Sequence, residues 1–211
     1  MIWIVLAYHL ASRLAYVLYV GLTLRRQERT GYLTGRYGAE VAFRRFRRVA
    51  AFVMANDAVS LGVLCFVSLN TLHLGLPRGL TVAVGAVLAL VGVATKVWAA
   101  ATLGDGYYWH NFFRPADRIA PKVAGPYRWL KNPMYTVGYL PVYGMALAAS
   151  SAFGLVAALF DQIAILTFYH LVEKPHFERW RQPPPPSEPV VRPVPGSARP
   201  PSLDTAPGQP P

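Results

Sequence analysis

The sequence predicts an all-α, polytopic membrane protein with about five transmembrane helices. Of its 211 residues, 54% are hydrophobic and only 15% are charged, whereas about 25% of the residues of a soluble domain are charged. The mean hydropathy is +0.29, and basic clusters separate long apolar runs. The net charge of +11 is therefore attributed to membrane orientation, and nucleic-acid binding is set aside.

The first predicted span covers residues 2–24 and is interrupted only by His9, Ser12 and Arg13. At about 1.5 Å per residue, this run is long enough to cross a hydrocarbon core of roughly 30 Å. A cleaved signal peptide carries positive charge before its apolar core, whereas here the arginines come afterwards. We therefore expect this span to be retained.

Residues 25–48 contain eight arginines. The second half of this segment mixes them with Val41, Phe43 and Phe46. Two interpretations stay open for that half: an interfacial helix on anionic lipid, or a topology signal that leads into the next span.

The second and third predicted spans cover residues 49–69 and 80–103, and a short turn with Gly75, Pro77 and Gly79 joins them. The single cysteine, Cys65, lies in an apolar run, which excludes an intrachain disulfide and a cysteine-based metal site. No metal site is expected elsewhere.

The fourth and fifth predicted spans, residues 133–149 and 153–173, form an antiparallel hairpin around the turn at residues 150–154. Residues 1–181 should therefore form one transmembrane domain. The last 30 residues, 182–211, contain twelve prolines and few large apolar side chains. They are predicted to be a disordered tail that activity does not need.

The predicted topology places the N-terminus outside and the C-terminus in the cytoplasm. Successive loops carry eight, one, five and no Arg or Lys residues, and this alternation fits five spans under the positive-inside rule. The end of the third span, the start of the fourth and the end of the fifth then meet at the cytoplasmic interface.

Four charged residues fall well inside the predicted spans, away from their ends: Arg13, Asp57, Lys96 and Asp161. Such charges cost about 3 kcal/mol each at a helix centre, so each should pair or face a polar cavity. Counted in residues from the cytoplasmic ends, Asp57 and Lys96 share one depth, and Arg13 and Asp161 share another. The sequence therefore predicts a structural ion pair of Asp57 and Lys96. For Arg13 and Asp161, a second structural pair stays open beside an Arg13 that extends to the interface and a protonated Asp161.

A basic, aromatic loop meets the fourth span at residues 125–138, GPYRWLKNPMYTVG. Asn132 followed by Pro133 is a helix-start signal, so the helix should begin at Pro133 and offer its amides to an anion beside Arg128 and Lys131. Glu173 is predicted at the C-terminal end of the fifth span, where the helix dipole is negative, and should attract a cation. Together they imply a zwitterionic ligand.

Each of these features also has an ordinary structural interpretation. Basic and aromatic residues flank the cytoplasmic ends of most membrane helices. Glu173 could instead pair with Lys174, Arg128 or Lys131. The glycines Gly104 and Gly106, which precede Tyr107, either close the third span or let the backbone approach a ligand closely.

The chain resembles membrane-integral S-adenosylmethionine-dependent methyltransferases, which include phosphatidylethanolamine N-methyltransferases and isoprenylcysteine carboxyl methyltransferases. The resemblance covers about residues 103–181. Residues 132–135 are similar to the family's (N/H)PxY element, residues 125–128 to its GPYR, and residues 104–106 to the GxG of the phospholipid branch. Asn132 in place of His favours that branch. Glu173 occupies the first place of a Glu-Glu pair, and Lys174 stands in the second.

The resemblance implies that S-adenosylmethionine binds at the cytoplasmic end of the C-terminal hairpin. The residues implied in binding it are Gly104, Gly106, Gly125, Pro126, Tyr127, Arg128, Asn132, Pro133, Tyr135 and Glu173.

The expected activity is methyl transfer to a lipid-soluble acceptor, and the preferred acceptor is the amine of a phospholipid. The candidate bases are Glu173, His110 and Tyr107. The alternatives are carboxyl or thiol methylation of an isoprenoid or small hydrophobic compound, and a non-catalytic membrane subunit or carrier.

Overall fold

The computed structural model describes residues 1–104, 109–114 and 124–181. Within these ranges all regular structure is helical. Gly106, Tyr107 and the predicted tail, residues 182–211, lie outside the described residues. The α-helices are α1 (Ile2–Thr30), α2 (Tyr32–Tyr37), α3 (Ala39–Val67), α4 (Arg78–Leu103), α5 (Leu140–Ala148), α6 (Ala152–Phe168) and α7 (Lys174–Arg181).

Four helices of the described chain are long and apolar enough to cross a membrane. Three of them are α1, α3 and α4, and the fourth runs continuously over Ala152–Arg179. Val137–Ala148, which falls in the predicted fourth span, is apolar but shorter. The chain is thus an integral membrane protein with about four candidate spanning helices, one fewer than the sequence predicts.

The fourth predicted span does not begin as a helix at Pro133, so that prediction is wrong. Residues 133–136 form turns, a 3-10 turn comes next at Val137–Tyr139, and the α-helix begins only at Leu140. Within the turns, the Gly138 N–H donates to the Pro133 carbonyl over 2.8 Å, across five residues instead of the four of an α-helix. Pro141 needs no amide hydrogen in the first turn, so the second proline starts the helix.

The arginine-rich segment leads into the next span instead of forming a separate interfacial helix. Helix α1 continues to Thr30 and closes at Gly31, whose φ of 58° favours glycine. After the short α2, helix α3 begins at Ala39 and passes without a break into the apolar run. Arginines at this end cover aromatic rings, with Arg45 4.1 Å from the Tyr37 ring centroid.

The last span was predicted to end near Glu173, and this prediction is wrong. A π-helical turn at Tyr169–Glu173 joins α6 to α7. Pro175 has no N–H to donate to the Leu171 carbonyl, and that carbonyl instead accepts a hydrogen bond from Arg25 Nη2 at 3.2 Å. Single π turns inside α-helices are frequent at functional sites. Glu173 therefore lies within a continuous helix, and the negative end of a helix dipole is not located there.

Helices α4 and α5 pack closely because glycines line their contact. A Cβ added to Gly85 would lie 2.5 Å from the Gly144 carbonyl oxygen and 2.9 Å from the Ala148 Cβ. A Cβ at Gly92 would overlap the Pro141 ring. Small residues allow such close backbone approach between membrane helices.

Gly85→Ala is expected to destabilise the protein by about 1–3 kcal/mol, because the added methyl forces α4 and α5 apart. The matched control is Gly62→Ala, since a Cβ at Gly62 meets no atom within 4 Å. In a helix interior, alanine is more stable than glycine by roughly 0.5–1 kcal/mol, so the control variant should be as stable as the wild type or more stable. Thermal unfolding in detergent measures both, and equal shifts for the two variants would contradict the close packing.

A buried ionic cluster, made of His9, Arg13, Asp57 and Asp161, joins α1, α3 and α6. Arg13 Nη2 lies 2.6 Å from Asp57 Oδ2 and 2.7 Å from Asp161 Oδ2. His9 Nε2 lies 3.1 Å from Asp161 Oδ1, and its Nδ1 lies 2.8 Å from the Ser60 hydroxyl oxygen. One guanidinium thus bridges two carboxylates that water does not reach.

This cluster confirms the predicted pair of Arg13 and Asp161, whereas the predicted pair of Asp57 and Lys96 is wrong. Asp57 pairs with Arg13, and the Lys96 ammonium lies 5.1 Å from the Tyr139 ring centroid. The reason is helix packing: α3 packs on α1 and α6, while α4 packs on α5. Equal depth along two consecutive spans does not bring their side chains together.

Candidate active site

The Glu173 carboxylate is the centre of the candidate site. Glu173 is 0% exposed, and its Oε1 accepts hydrogen bonds from the Tyr135 hydroxyl at 2.9 Å and from Trp109 Nε1 at 3.1 Å. Its Oε2 is buried and has no hydrogen-bond partner among the described residues. Because a buried carboxylate oxygen without a donor is costly, this atom points to a cationic or hydrogen-bonding ligand group.

Tyr135 connects Asn132 to Glu173. The Asn132 Oδ1 accepts a hydrogen bond from the Tyr135 N–H at 3.2 Å, and the Tyr135 hydroxyl donates to Glu173. The intervening Pro133 and Met134 are buried, so the turn that holds Tyr135 is fixed by packing as well. The (N/H)PxY element and the glutamate thus meet through one direct hydrogen bond across 38 residues.

The predicted anion site at a helix N-terminus is not formed at Asn132 and Pro133. Asn132 does accept an amide hydrogen as a cap would, but the next residues form a turn in which the Thr136 N–H donates to the Asn132 carbonyl at 3.1 Å. The remaining positive groups at this position are the side chains of Arg128 and Lys131, both exposed. Any anionic ligand group here would bind to those side chains instead of a helix end.

The alternative in which Glu173 serves as an ordinary ion-pair partner is not found among the described residues. Lys174 lies 3.8 Å from Glu178 instead. Neither Arg128 nor Lys131 reaches the Glu173 carboxylate within ion-pair distance in this part of the chain. The negative charge of Glu173 is thus without a protein counter-ion there.

Two glycines shape the end of α4 beside this site. Gly104 has φ 54° and its N–H donates to the Ala100 carbonyl, so it closes the helix. Gly125 has φ 55°, and a Cβ on it would overlap the Thr102 hydroxyl. The helix-closing interpretation of Gly104 therefore holds, and both positions require glycine for backbone reasons.

The segment after Gly125 packs onto the same end of α4. Gly125–Arg128 forms a 3-10 turn in which Pro126 is buried. Tyr127 and Tyr135 pack against the apolar cluster of Ala99, Leu103 and Met134. The motif segments that the sequence singles out therefore adjoin one another at one end of the helices.

His110 does not join the Glu173 hydrogen-bond network among the described residues. Its ring packs edge-on against Phe43 with centroids 5.1 Å apart, and its Nδ1 is buried without a hydrogen-bond partner in this part of the chain. Trp109, which binds Glu173, is not among the residues predicted from the sequence to do so. The available clue was that a buried Trp needs an acceptor for its indole N–H.

The short segment that carries Trp109 is itself anchored. The Phe112 ring stacks on the His176 ring with centroids 3.7 Å apart and an interplanar angle of 14°. His176 Nδ1 lies 2.7 Å from the Glu28 carboxylate, and Gln27 Nε2 donates to the Phe112 carbonyl at 3.4 Å. The end of α1 thus positions the indole that binds Glu173.

Comparison with known proteins covers the part of the chain that contains this site. The profile of the phospholipid methyltransferase family matches residues 80–180, which include most of α4 and the described residues of the site. A phosphatidylethanolamine N-methyltransferase of Clavispora lusitaniae is 32% identical over 149 residues, 66% of this chain and 17% of that protein. One of Pyricularia oryzae is 32% identical over 145 residues, 67% of this chain and 15% of that protein.

A third relative, the phosphatidylethanolamine N-methyltransferase of Chaetomium globosum, is 28% identical over 68% of this chain and 15% of its own length. The chain thus spans about a sixth of the length of these relatives. No solved structure matches it. Residues 80–180 of this chain match the phospholipid methyltransferase family, and the similarity to these three relatives agrees with that match.

Proposed function

We propose that this chain transfers a methyl group from S-adenosylmethionine to the amine of a phospholipid headgroup at the cytoplasmic membrane interface. The observation that carries the proposal is the Glu173 carboxylate, buried and hydrogen-bonded to the (N/H)PxY element while its Oε2 has no partner among the described residues. The similarity to phosphatidylethanolamine N-methyltransferases supports the reaction class and the acceptor.

The charged side chains of the candidate site fit S-adenosylmethionine. This cofactor carries an ammonium, a sulfonium, a carboxylate and an adenine, and it supplies a methyl group bound to positively charged sulfur. Glu173 Oε2 is suited to a cationic group, and the exposed Arg128 to the carboxylate. The remaining residues proposed to hold it are Gly104, Gly106, Gly125, Pro126, Tyr127, Asn132, Pro133 and Tyr135.

The protein residues are proposed to align the reactants, exclude water and accept one proton. Displacement at a sulfonium methyl is in-line, so alignment of the acceptor nitrogen dominates the catalytic contribution. The turn at residues 133–136 and the Trp109 indole fix the Glu173 carboxylate in place. The amine must lose a proton, and the proposed acceptors are Glu173, His110 and Tyr107.

The proposed orientation has the N-terminus outside and the C-terminus in the cytoplasm, with the site at the cytoplasmic end of the C-terminal hairpin. The distribution of basic residues supports it, because Arg128 and Lys131 flank the site and the arginines of residues 25–48 lie at the same end of α1 and α3. Helices α5 and α6, which form that hairpin, pack on each other.

Tritium transfer from labelled S-adenosylmethionine tests the proposed function. The purified chain is incubated with vesicles containing phosphatidylethanolamine, and the extracted lipid is separated by thin-layer chromatography. We expect label in a methylated phosphatidylethanolamine and none above background with phosphatidylcholine vesicles, whose nitrogen is already fully methylated. Label in an added isoprenoid thiol or carboxylate instead, or donor binding without any transfer, would favour the alternative acceptors or a non-catalytic role.

A further inference from the structure

Lys96 is a charged residue in the apolar helix α4 that the proposed donor site does not use. Its side chain is exposed on the surface of the chain, so within a bilayer it faces lipid. Among the described residues it forms no ion pair, and the carboxylates of Asp57 and Asp161, which also lie in the spans, both bind Arg13. An ammonium in the hydrocarbon region costs about 3 kcal/mol, so a partner is expected.

The protein holds the Lys96 ammonium in a defined place. Its stem lies against Gly138, where an added Cβ would be 2.9 Å from Lys96 Cγ and 3.3 Å from Lys96 Cε. Its Nζ lies 5.1 Å from the Tyr139 ring centroid, a cation–π distance. Side chains on a helix lean toward its N-terminus, and on α4 this direction leads away from Gly104 and the donor site. The ammonium is therefore placed deeper than that site.

The depth of Lys96 relative to the donor site can be read from the contacts along α4. The chain from Gly125 onward runs antiparallel to the helix: Gly125 adjoins Thr102, Met134 adjoins Ala99, and Gly138 adjoins Lys96. Ala99 and Lys96 are three residues apart, which is about 4.5 Å along the helix axis. Lys96 thus lies roughly one helical turn below the turn that holds Tyr135.

We propose that Lys96 binds the phosphodiester of the acceptor phospholipid, which approaches from the bilayer along the exposed face of α4 beside the turn at residues 133–139. This inference rests on the proposed function. In a phospholipid the phosphate lies between the amine and the acyl chains. A lipid whose amine reaches the level of Glu173 therefore places its phosphate deeper in the membrane than Glu173. The order of groups along the lipid matches the order of Glu173 and Lys96. The fixed ammonium then selects amines attached to a phosphodiester.

Steady-state kinetics in mixed micelles at saturating S-adenosylmethionine test this assignment. Lys96→Gln should raise the KM for phosphatidylethanolamine about tenfold, with the Kd for S-adenosylmethionine unchanged, because it removes a charged contact to the acceptor alone. Lys96→Arg, which keeps the charge, should stay within about threefold of the wild type. Thr95→Val, at the same depth, is the control and should leave the KM unchanged, since its hydroxyl donates to the Val91 carbonyl of its own helix.

Two further arms separate the sources of the effect. A long-chain amine without phosphate should show the same KM in wild type and Lys96→Gln, and millimolar inorganic phosphate should not compete with phosphatidylethanolamine. An unchanged KM for phosphatidylethanolamine in Lys96→Gln would overturn the proposal. So would an equal rise in KM for the phosphate-free amine, which would indicate a general loss of membrane positioning.

A readout that does not require turnover keeps this proposal distinct from the proposed function. Protein with ¹⁵N-labelled lysine side chains in phosphatidylethanolamine bilayers should show a ¹⁵N–³¹P dipolar contact that disappears in Lys96→Gln. If the wild type transfers no methyl to phosphatidylethanolamine, the proposed function fails, whereas this contact still decides whether Lys96 binds a lipid phosphate. A spectrum identical in wild type and variant would overturn the assignment of Lys96.

Discussion

Glu173→Gln is expected to weaken S-adenosylmethionine binding by about 10-fold to 150-fold and to reduce methyl transfer at least as much. Glutamine keeps the volume of the side chain and an oxygen that accepts from Tyr135 and Trp109. The substitution therefore removes mainly the negative charge that faces the ligand through Oε2. A hydrogen bond to a charged group contributes about 1.5–3 kcal/mol, and about 1.4 kcal/mol corresponds to tenfold in affinity.

Calorimetric titration of the detergent-solubilised protein measures this loss directly. The matched control is Glu178→Gln, which makes the same change further along the same helix, at an exposed side chain that pairs with Lys174. The control should bind S-adenosylmethionine as the wild type does. If Glu173→Gln also retained wild-type affinity while thermal unfolding showed it to be folded, the cationic group of the donor would have to bind elsewhere.

The meeting of Asn132, Tyr135 and Glu173 could be predicted from the sequence, because the short turn at residues 150–154 folds two apolar segments into a hairpin and brings both motifs to one level. The role of Trp109 could not be predicted in this way. Its hydrogen bond to Glu173 joins residues that are 64 positions apart, and no sequence periodicity indicates such a contact. The predicted start of the fourth span was also wrong. Pro133 and Pro141 are equally good helix-start residues, and only tertiary packing decides between them.

The number and extent of the spans show a similar limit. Hydropathy located every long apolar run, because burial in lipid depends on composition. It could not show that the last helix continues beyond Glu173 through a π turn. Where the helix continues, Arg25 donates to the Leu171 carbonyl, which Pro175 leaves without its usual donor. Such long-range substitution of one hydrogen bond for another is not encoded in the local pattern.

For the charged residues within the spans, the sequence predicts the depth in the membrane but not the direction in which each side chain points around its helix. Counting residues gave the depths of Arg13, Asp57, Lys96 and Asp161, and it correctly implied that most would be paired. Direction around the helix axis was not available, because it is fixed by which helices touch. Glycines at positions 85, 92 and 144 hold α4 against α5, so Lys96 turns toward Tyr139 instead of Asp57.

Arg13→Met is expected to destabilise the protein by about 3–5 kcal/mol, enough to unfold much of it in detergent. The guanidinium lies 2.6 and 2.7 Å from the Asp57 and Asp161 carboxylates and also donates to the Tyr139 hydroxyl at 3.1 Å. Methionine fills a similar volume but leaves two buried carboxylates without their shared cation. Removing one partner of a buried ion pair typically costs this much, since the other charge stays desolvated.

Removal of the two carboxylates should rescue the Arg13→Met variant. Adding Asp57→Asn and Asp161→Asn removes the uncompensated charges, and neutral replacements of a complete buried ionic group are often tolerated. The triple variant should therefore recover most of the stability that the single variant loses, as measured by denaturant titration in mixed micelles. If the triple variant is no more stable than Arg13→Met, shape and hydrogen bonding around Tyr139 determine the role of Arg13, because the carboxylates would then no longer account for the loss.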